Sequence, residues 1–390
     1  MSRSRGGYDG PAILSYGFRP FFFFGSLYAA VSIAVWLPVF SGFITLNTAF
    51  VPRDWHIHEM LFGYVAAVIA GFLMTAVPNW TGRLPLRGGP LALLFSTWVA
   101  GRLAISASAW IGWLAAAVVD SLFLVLLVGA VAREIVAGRK WDSLKIVGAV
   151  GLFGLANVAF HLEAHFAGAA DYSVRLGLAV VILLVSLVGG RIIPSFTRNW
   201  LARSNPGRLP VPFAKFDVLS LAASAIALAS WVALPASRGV GALMILCGVL
   251  HLVRLSRWAG DRVVADRLVL ILHVAYLFVP LGFLLTGLSA FGIIGPGAGI
   301  HAWAAGAIGA MTLAVMTRAT LGHTGRPLKA SVATQVIYAA VVSAAVLRVC
   351  ATLPVDHADQ ALLAAGFAWV LAFAVFALAY FRPLWTPRLA

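Results

Sequence analysis

What most constrains this chain is a recurrence: stretches of about 20 mostly apolar residues, each long enough to cross a ~30 Å hydrocarbon layer, follow one another down its whole length. Twelve can be placed, over residues 21–41, 55–78, 91–110, 111–132, 145–165, 174–196, 216–235, 239–258, 266–290, 298–320, 331–354 and 360–381. The third and fourth touch at Trp110-Ile111-Gly112, the least sharply marked boundary. In hydrocarbon the backbone must satisfy its own hydrogen bonds, and runs of this length do so as helices. Of the 390 residues 62% are hydrophobic and only 11% charged, a profile that excludes a soluble domain. The expected fold is therefore all-α and integral to the membrane, one polytopic domain over 1–390 with about twelve transmembrane helices.

A net charge of +15 would suggest nucleic acid in a soluble chain, but here the basic residues mark topology and no nucleic-acid partner is expected. Arg3, Arg5, Arg83, Arg87, Arg133, Arg139, Lys140, Lys145, Arg198, Arg203, Arg208, Lys215, Arg254, Arg257, Arg262, Arg267, Arg326, Lys329, Arg382 and Arg388 fall at the two termini and in alternate loops. The opposite loops hold little beyond Arg53, Asp54, Glu163, Asp171, Arg175, Arg238, Asp356 and Asp359. Both termini are thus expected on the cytoplasmic side of a bacterial inner membrane. The polar stretch up to Pro20 does not read as a cleavable signal, so the first apolar run is expected to remain as a span. The two cysteines, Cys247 and Cys350, lie within spans and argue for neither a disulfide nor a thiolate metal site.

An internal repeat relates His58–Leu86 to His301–Leu328. Each begins with a histidine, has a glycine five residues on (Gly63, Gly306), and closes on Thr-Gly-Arg starting at Thr81 or Thr324. Between them, Gly189-Gly190-Arg191-Ile192-Ile193-Pro194-Ser195-Phe196-Thr197-Arg198-Asn199-Trp200 resembles the close of the second span, Gly71-Phe72-Leu73-Met74-Thr75-Ala76-Val77-Pro78-Asn79-Trp80. Spans two, six and ten read as one element repeated every four helices, giving units at roughly 15–135, 140–260 and 261–385. That array is similar to the catalytic subunit of haem-copper oxidases and nitric oxide reductases, twelve helices in pseudo-threefold order, whose helices two and ten supply histidines to a low-spin haem. Its copper motif on helices six and seven has no counterpart, since neither span carries a histidine here. The likeness is architectural.

Ionisable groups inside a membrane are expensive and mark function. His56, His58, His161, His165 and His301 lie within about two turns of the outer boundary, His251 and His273 about two turns from the inner face, and His323 caps span ten there. Neutral imidazole suits copper and haem iron, and with only 13 acidic residues a hard-cation cage is not expected. His58 and His301 are candidate haem ligands; the same pair also reads as interfacial imidazoles bonded to backbone or lipid headgroups. His161 and His165 share one helix face at i, i+4, a spacing able to chelate a metal. His251 and His273 are candidates for a second cofactor site, and His357, beside Asp356, reads as solvated. Arg102 and Asp120 fall on consecutive antiparallel spans and are expected to pair, as structure or as a step in a proton path. Glu59 reads as a partner of an imidazole N–H, a proton donor to bound substrate, or a simple helix-end carboxylate.

With these motifs the chain resembles the NnrS family, bacterial membrane proteins tied to the nitric oxide response. The likeness is carried by Phe18-Arg19-Pro20-Phe21-Phe22, Trp55-His56-Ile57-His58-Glu59-Met60-Leu61-Phe62-Gly63, the closes of spans two and six, and Met316-Thr317-Arg318-Ala319-Thr320-Leu321-Gly322-His323-Thr324-Gly325-Arg326. It implies a haem (b-type) and copper, protection against nitrosative stress, and an association with denitrification. Carried over by motif, it favours His56, His58, Glu59, His161 within Asn157-Val158-Ala159-Phe160-His161, His251, His273, His301 and His323. The expected activity is nitric oxide reduction, with electrons from a quinol or a separate cytochrome. Two alternatives stay open: a membrane transporter, and a haem protein that binds nitric oxide without turnover.

Overall fold

A computed structural model describes residues 8–354 and 356–389, so Arg3 and Arg5 lie outside the described residues. Among these residues the secondary structure is helical throughout, and twelve helices are long and apolar enough to cross a membrane. They are α1 (Phe18–Phe40), α2 (Pro52–Thr81), α3 (Gly89–Ser106), α4 (Trp113–Ala137), α5 (Trp141–Ala167), α6 (Tyr172–Ser204), α7 (Lys215–Ala233), α8 (Arg238–Ser256), α9 (Arg267–Ala290), α10 (Gly297–His323), α11 (Val332–Cys350) and α12 (Ala358–Trp385). The protein is an all-α, multi-pass membrane protein.

Helix boundaries follow local chemistry. Asp266 accepts the Leu268 and Val269 amides at 2.9 and 3.3 Å to start α9, and Ser331 accepts the Thr334 amide at 3.2 Å to start α11. Gly82 closes α2 and Gly168 closes α5, at φ +72° and +80°, the left-handed geometry a helix C-terminus favours. The join between spans three and four is a short helix, Ser108–Ile111, followed by Gly112 at φ +85°.

Contacts within the chain divide it into two compact units. The first holds the residues up to Gly177, with Thr320–Arg326 and the stretch from Ala377. It packs α2 against α1, α3 and α4, with α5 against α4. Arg19 of α1 ties in the C-terminal stretch by donating to the carbonyls of Leu384 and Thr386 at 2.8 and 2.7 Å. The second unit, Leu178–Ala319 with Pro327–Phe376, is built on the α8–α9 pair, with α7 on α8 and α10 on α9 and α11. Small residues let α8 and α9 touch: a Cβ at Gly287 would stand 2.7 Å from the Gly241 carbonyl.

Burial separates inner helices from lipid-facing ones. In α2 and α10, 78% and 72% of the most apolar stretch is buried, against 33% in α4, α5 and α7. Leu114, Val118 and Val125 on α4 and Leu155 on α5 are exposed, the apolar surface that lipid covers. The two innermost spans are therefore the two that carry the repeated histidines. Both also break from α-helical winding just after that histidine, into π-helix at Glu59–Val65 and at Ala302–Ala310. Such turns are rare and concentrate at functional sites.

Candidate metal centre

Five helices of the first unit bring polar side chains to one buried point. α2 supplies His58 and Glu59 where its π-helical turns begin, α3 supplies Arg102 and α4 Asp120. One face of α5 supplies Asn157 and His161 at i, i+4, and α1 supplies Tyr28. His58 and Glu59 are fully buried, and Asp120, Asn157 and His161 nearly so.

Asp120 is the centre of the arrangement. One carboxylate oxygen, Oδ1, is ion-paired with the Arg102 guanidinium. The other, Oδ2, accepts the Asn157 side-chain amide at 2.7 Å and faces Nε2 of His161 at 3.1 Å and Nε2 of His58 at 3.2 Å. Arg102 also donates to Glu59 Oε1 at 2.6 Å, so one guanidinium serves two carboxylates from different helices. Glu59 Oε1 lies 2.8 Å from Nδ1 of His58, while its Oε2 accepts the Tyr28 hydroxyl. Phe50, Phe62 and Phe160 pack around the His58 ring at centroid distances of 5.0 to 5.5 Å.

Two consequences follow from this geometry. With both carboxylates ionised, Glu59 and Asp120 carry two negative charges against one positive on Arg102, leaving the cluster one positive charge short when both imidazoles are neutral. His58 states the same deficit in hydrogen bonds. Its Nδ1 faces a carboxylate and its Nε2 faces the Asn157 carbonyl oxygen at 3.0 Å as well as Asp120, yet a neutral ring has one N–H. The ligand atoms of His58, Asp120 and His161 all lie within 4.8 Å of one another, the only such group of three among the described residues. The cluster has the donors for a cation and lacks its charge.

The other histidines are placed differently. In the second unit, His251 is enclosed on both sides: its Nδ1 lies 2.9 Å from the Tyr276 hydroxyl and its Nε2 2.9 Å from Ser224 Oγ. Arg254, which can only donate, gives hydrogen bonds to that tyrosine, to Asp217 and to the Ser186 carbonyl, while its Nη2 is buried without a partner. His273 meets Thr197 Oγ1 at 2.9 Å through Nε2, and its buried Nδ1 is unpartnered. Among the described residues the two histidines have separate hydrogen-bond partners, and none is shared between His251 and His273. His301 gives its Nδ1–H to the Gly297 carbonyl at 2.8 Å. His56 stacks on Trp36, His165 on Trp113, and His323 packs against Tyr16 and Phe18. His357 sits at φ +70° in the turn before α12.

Depth in the sequence singled out His58, Glu59, Arg102, Asp120 and His161, with Arg102 and Asp120 read as a pair and Glu59 as one possible partner of an imidazole; the structure joins all five in one cluster. Two members were missed. Asn157 stands one turn before His161 inside a motif already quoted, and that spacing was the signal available. Tyr28 lies on an otherwise apolar span and carried no signal. The family model described as NnrS protein matches residues 12–388, and no curated protein matches the chain.

Proposed function

The chain belongs to the NnrS family, and from that premise we propose that it serves the nitric oxide response by reducing nitric oxide at a copper ion held by His58, Asp120 and His161. The observation that carries this reading is the cluster itself: two imidazoles and one carboxylate, buried together, one positive charge short of balance. Imidazole is a good copper ligand, and a single Cu(I) supplies the missing charge. The supporting groups suit the role. Glu59 holds His58 through Nδ1, Arg102 and Asn157 hold Asp120, and Tyr28 holds Glu59, so His58 and Asp120 are each oriented from behind.

The reaction consumes two nitric oxide molecules, two electrons and two protons and yields nitrous oxide and water, with a quinol or a separate cytochrome as the electron source. Bound copper supplies a centre that takes up an electron and coordinates a nitrogen oxide. The protein's side chains do the rest. The ring of phenylalanines keeps water from the ligands, and nitric oxide, small and apolar, arrives through the lipid. Glu59 is the carboxyl placed to hold a proton at the cluster, its Oε2 against the Tyr28 hydroxyl and its Oε1 against His58. Arg102 pairs with both carboxylates, Glu59 and Asp120, and holds them side by side away from water.

The test is copper quantified in the detergent-purified protein, together with nitric oxide consumption by the reduced enzyme at an electrode. The expected result is copper near one per chain, lost in His161→Ala and Asp120→Ala, and steady consumption lost with it. Copper binding without steady consumption would favour the non-catalytic binder. A metal-free protein that moves a solute into proteoliposomes would overturn the reading in favour of the transporter.

A further inference from the structure

A recess of about 510 Å³ lies in the first unit between α2, α3 and α4, at the end of α2 away from His58. It is the size of a ligand pocket, which runs roughly 300–1,000 Å³. The sequence makes it by leaving side chains out. Gly129 and Ala130 of α4 line it, and a Cβ at Gly129 would meet nothing within 4 Å. Met74, Val77 and Leu94 are its buried floor, while Leu93, Val125 and Leu126 border it on the exposed, lipid-facing side. From Val125 to Glu134 the α4 wall rises about 13 Å and ends in the last turn of the helix. The recess therefore runs inward from a membrane boundary for roughly one leaflet, half of a ~30 Å hydrocarbon layer.

The apolar lining is broken only at that boundary, by Arg133 and Glu134. Glu134 accepts Arg83 Nε at 2.6 Å on one oxygen and the Arg133 guanidinium at 2.8 and 3.1 Å on the other. Neither arginine has a second carboxylate among the described residues, so the mouth holds one positive charge more than its ion pairs balance. The carboxylate is largely covered and both arginines are exposed, so the surplus charge is the one presented outward. The joints at this end, 82–88 and 138–143, add Arg87, Arg139 and Lys140 against Asp142.

A channel of apolar side chains one leaflet deep, opening at a positive mouth, sets the chemistry of its occupant. A free anion would satisfy the arginines and leave the recess unfilled; a plain hydrocarbon would do the opposite. A quinol needs a carboxylate oxygen to accept from its hydroxyl, and both oxygens of Glu134 already serve the arginines. A zwitterionic lipid brings an ammonium group to a mouth already in positive surplus. We propose that the recess holds an anionic phospholipid, with one acyl chain along α4 between α2 and α3 and its phosphate at Arg83 and Arg133. The proposal goes beyond the reading of the His58 cluster and does not rest on it. Its consequence for the fold is that the lipid braces the closing turns of α2, the helix that carries His58 and Glu59.

The experiment titrates the delipidated full chain in detergent with phosphatidylglycerol or with phosphatidylcholine of the same acyl chains, reading bound lipid by native mass spectrometry and melting temperature alongside. The expected result is one phosphatidylglycerol per chain, held about fivefold more tightly than phosphatidylcholine, which is the worth of one surplus arginine near a phosphate. The melting temperature should rise as it binds. Replacing both arginines, Arg83→Gln with Arg133→Gln, is expected to abolish the preference between the two lipids. Gly129→Leu fills the recess without touching an ion pair, and is expected to lose the bound lipid while its melting temperature without lipid stays near the parent's. Equal affinity for the two lipids, or a phosphatidylglycerol complex that survives Gly129→Leu, would overturn the proposal. Displacement by glycerol 3-phosphate would overturn it in favour of an anion site that uses no acyl chain, and displacement by a short-chain quinol in favour of an electron-donor site.

Discussion

Arg102 holds Glu59 and Asp120 together, two carboxylates from different helices with no other arginine or lysine in contact among the described residues. Removing it leaves both buried and uncompensated, a loss on the order of 3–5 kcal/mol for a broken buried pair. Arg102→Met is therefore expected to lower the melting temperature in detergent sharply, whereas Arg102→Lys should fall between, keeping the charge and losing the two-pronged geometry. An Arg102→Met protein as stable as the parent would show that the pair contributes little. Tyr28 lies one step further out, and Tyr28→Phe removes only the hydroxyl that holds Glu59 Oε2. That change is expected to weaken copper binding about 10- to 100-fold while the melting temperature stays close to the parent's. Unaltered affinity in a copper titration would reduce Tyr28 to packing. Residue type and depth made His58, Glu59, Arg102, Asp120 and His161 visible in the sequence. Their convergence was not visible, because spans apolar on every side do not declare which face turns inward.

The π-helical turns are the element-level counterpart of that hidden information. Apolar length predicted each span to within a few residues at most ends, and missed the extra turns of α6, which runs on to Ser204. It held no sign that α2 and α10 change their winding after His58 and His301. The change has a geometric use. One residue more per turn rotates the histidine relative to the rest of its helix by about 100°, and so aims it independently of the packed glycines and alanines that follow. Deleting Met60 from Glu59–Val65 should return that stretch to α-helical winding and turn His58 away from Asp120, with the proposed copper lost and helix content by circular dichroism preserved. Retained copper would mean that the π-turns do not set the direction of His58. Gly190, in the repeated close of α6, is tested in the same spirit: a Cβ there collides with the Arg254 guanidinium, so Gly190→Val is expected to disturb the Asp217–Arg254–Tyr276 network and destabilise the second unit.

At the scale of the whole molecule, the sequence predicts more than the chain's contacts alone can decide. Number of spans, helical class and family were legible, because apolar length and short motifs encode them locally. Orientation is encoded in charge, and we propose that both termini and the basic loops face the cytoplasm. The threefold repeat is a proposal of the same kind, supported by the π-turns common to α2 and α10; α6 shares their closing motif and has no π-turn among its described residues. Orientation matters to the proposed chemistry, since it would fix the side from which protons and electrons reach His58 and Asp120. Loops on opposite sides should therefore report differently to a membrane-impermeant maleimide, in a background with Cys247 and Cys350 replaced. Asp171→Cys, in the turn between α5 and α6, is expected to label in intact cells, and Lys140→Cys, before α5, only after the membrane is permeabilised. The opposite pattern would invert the topology, place the His58 end of α2 at the cytoplasmic face, and require the reaction to draw its protons from inside the cell.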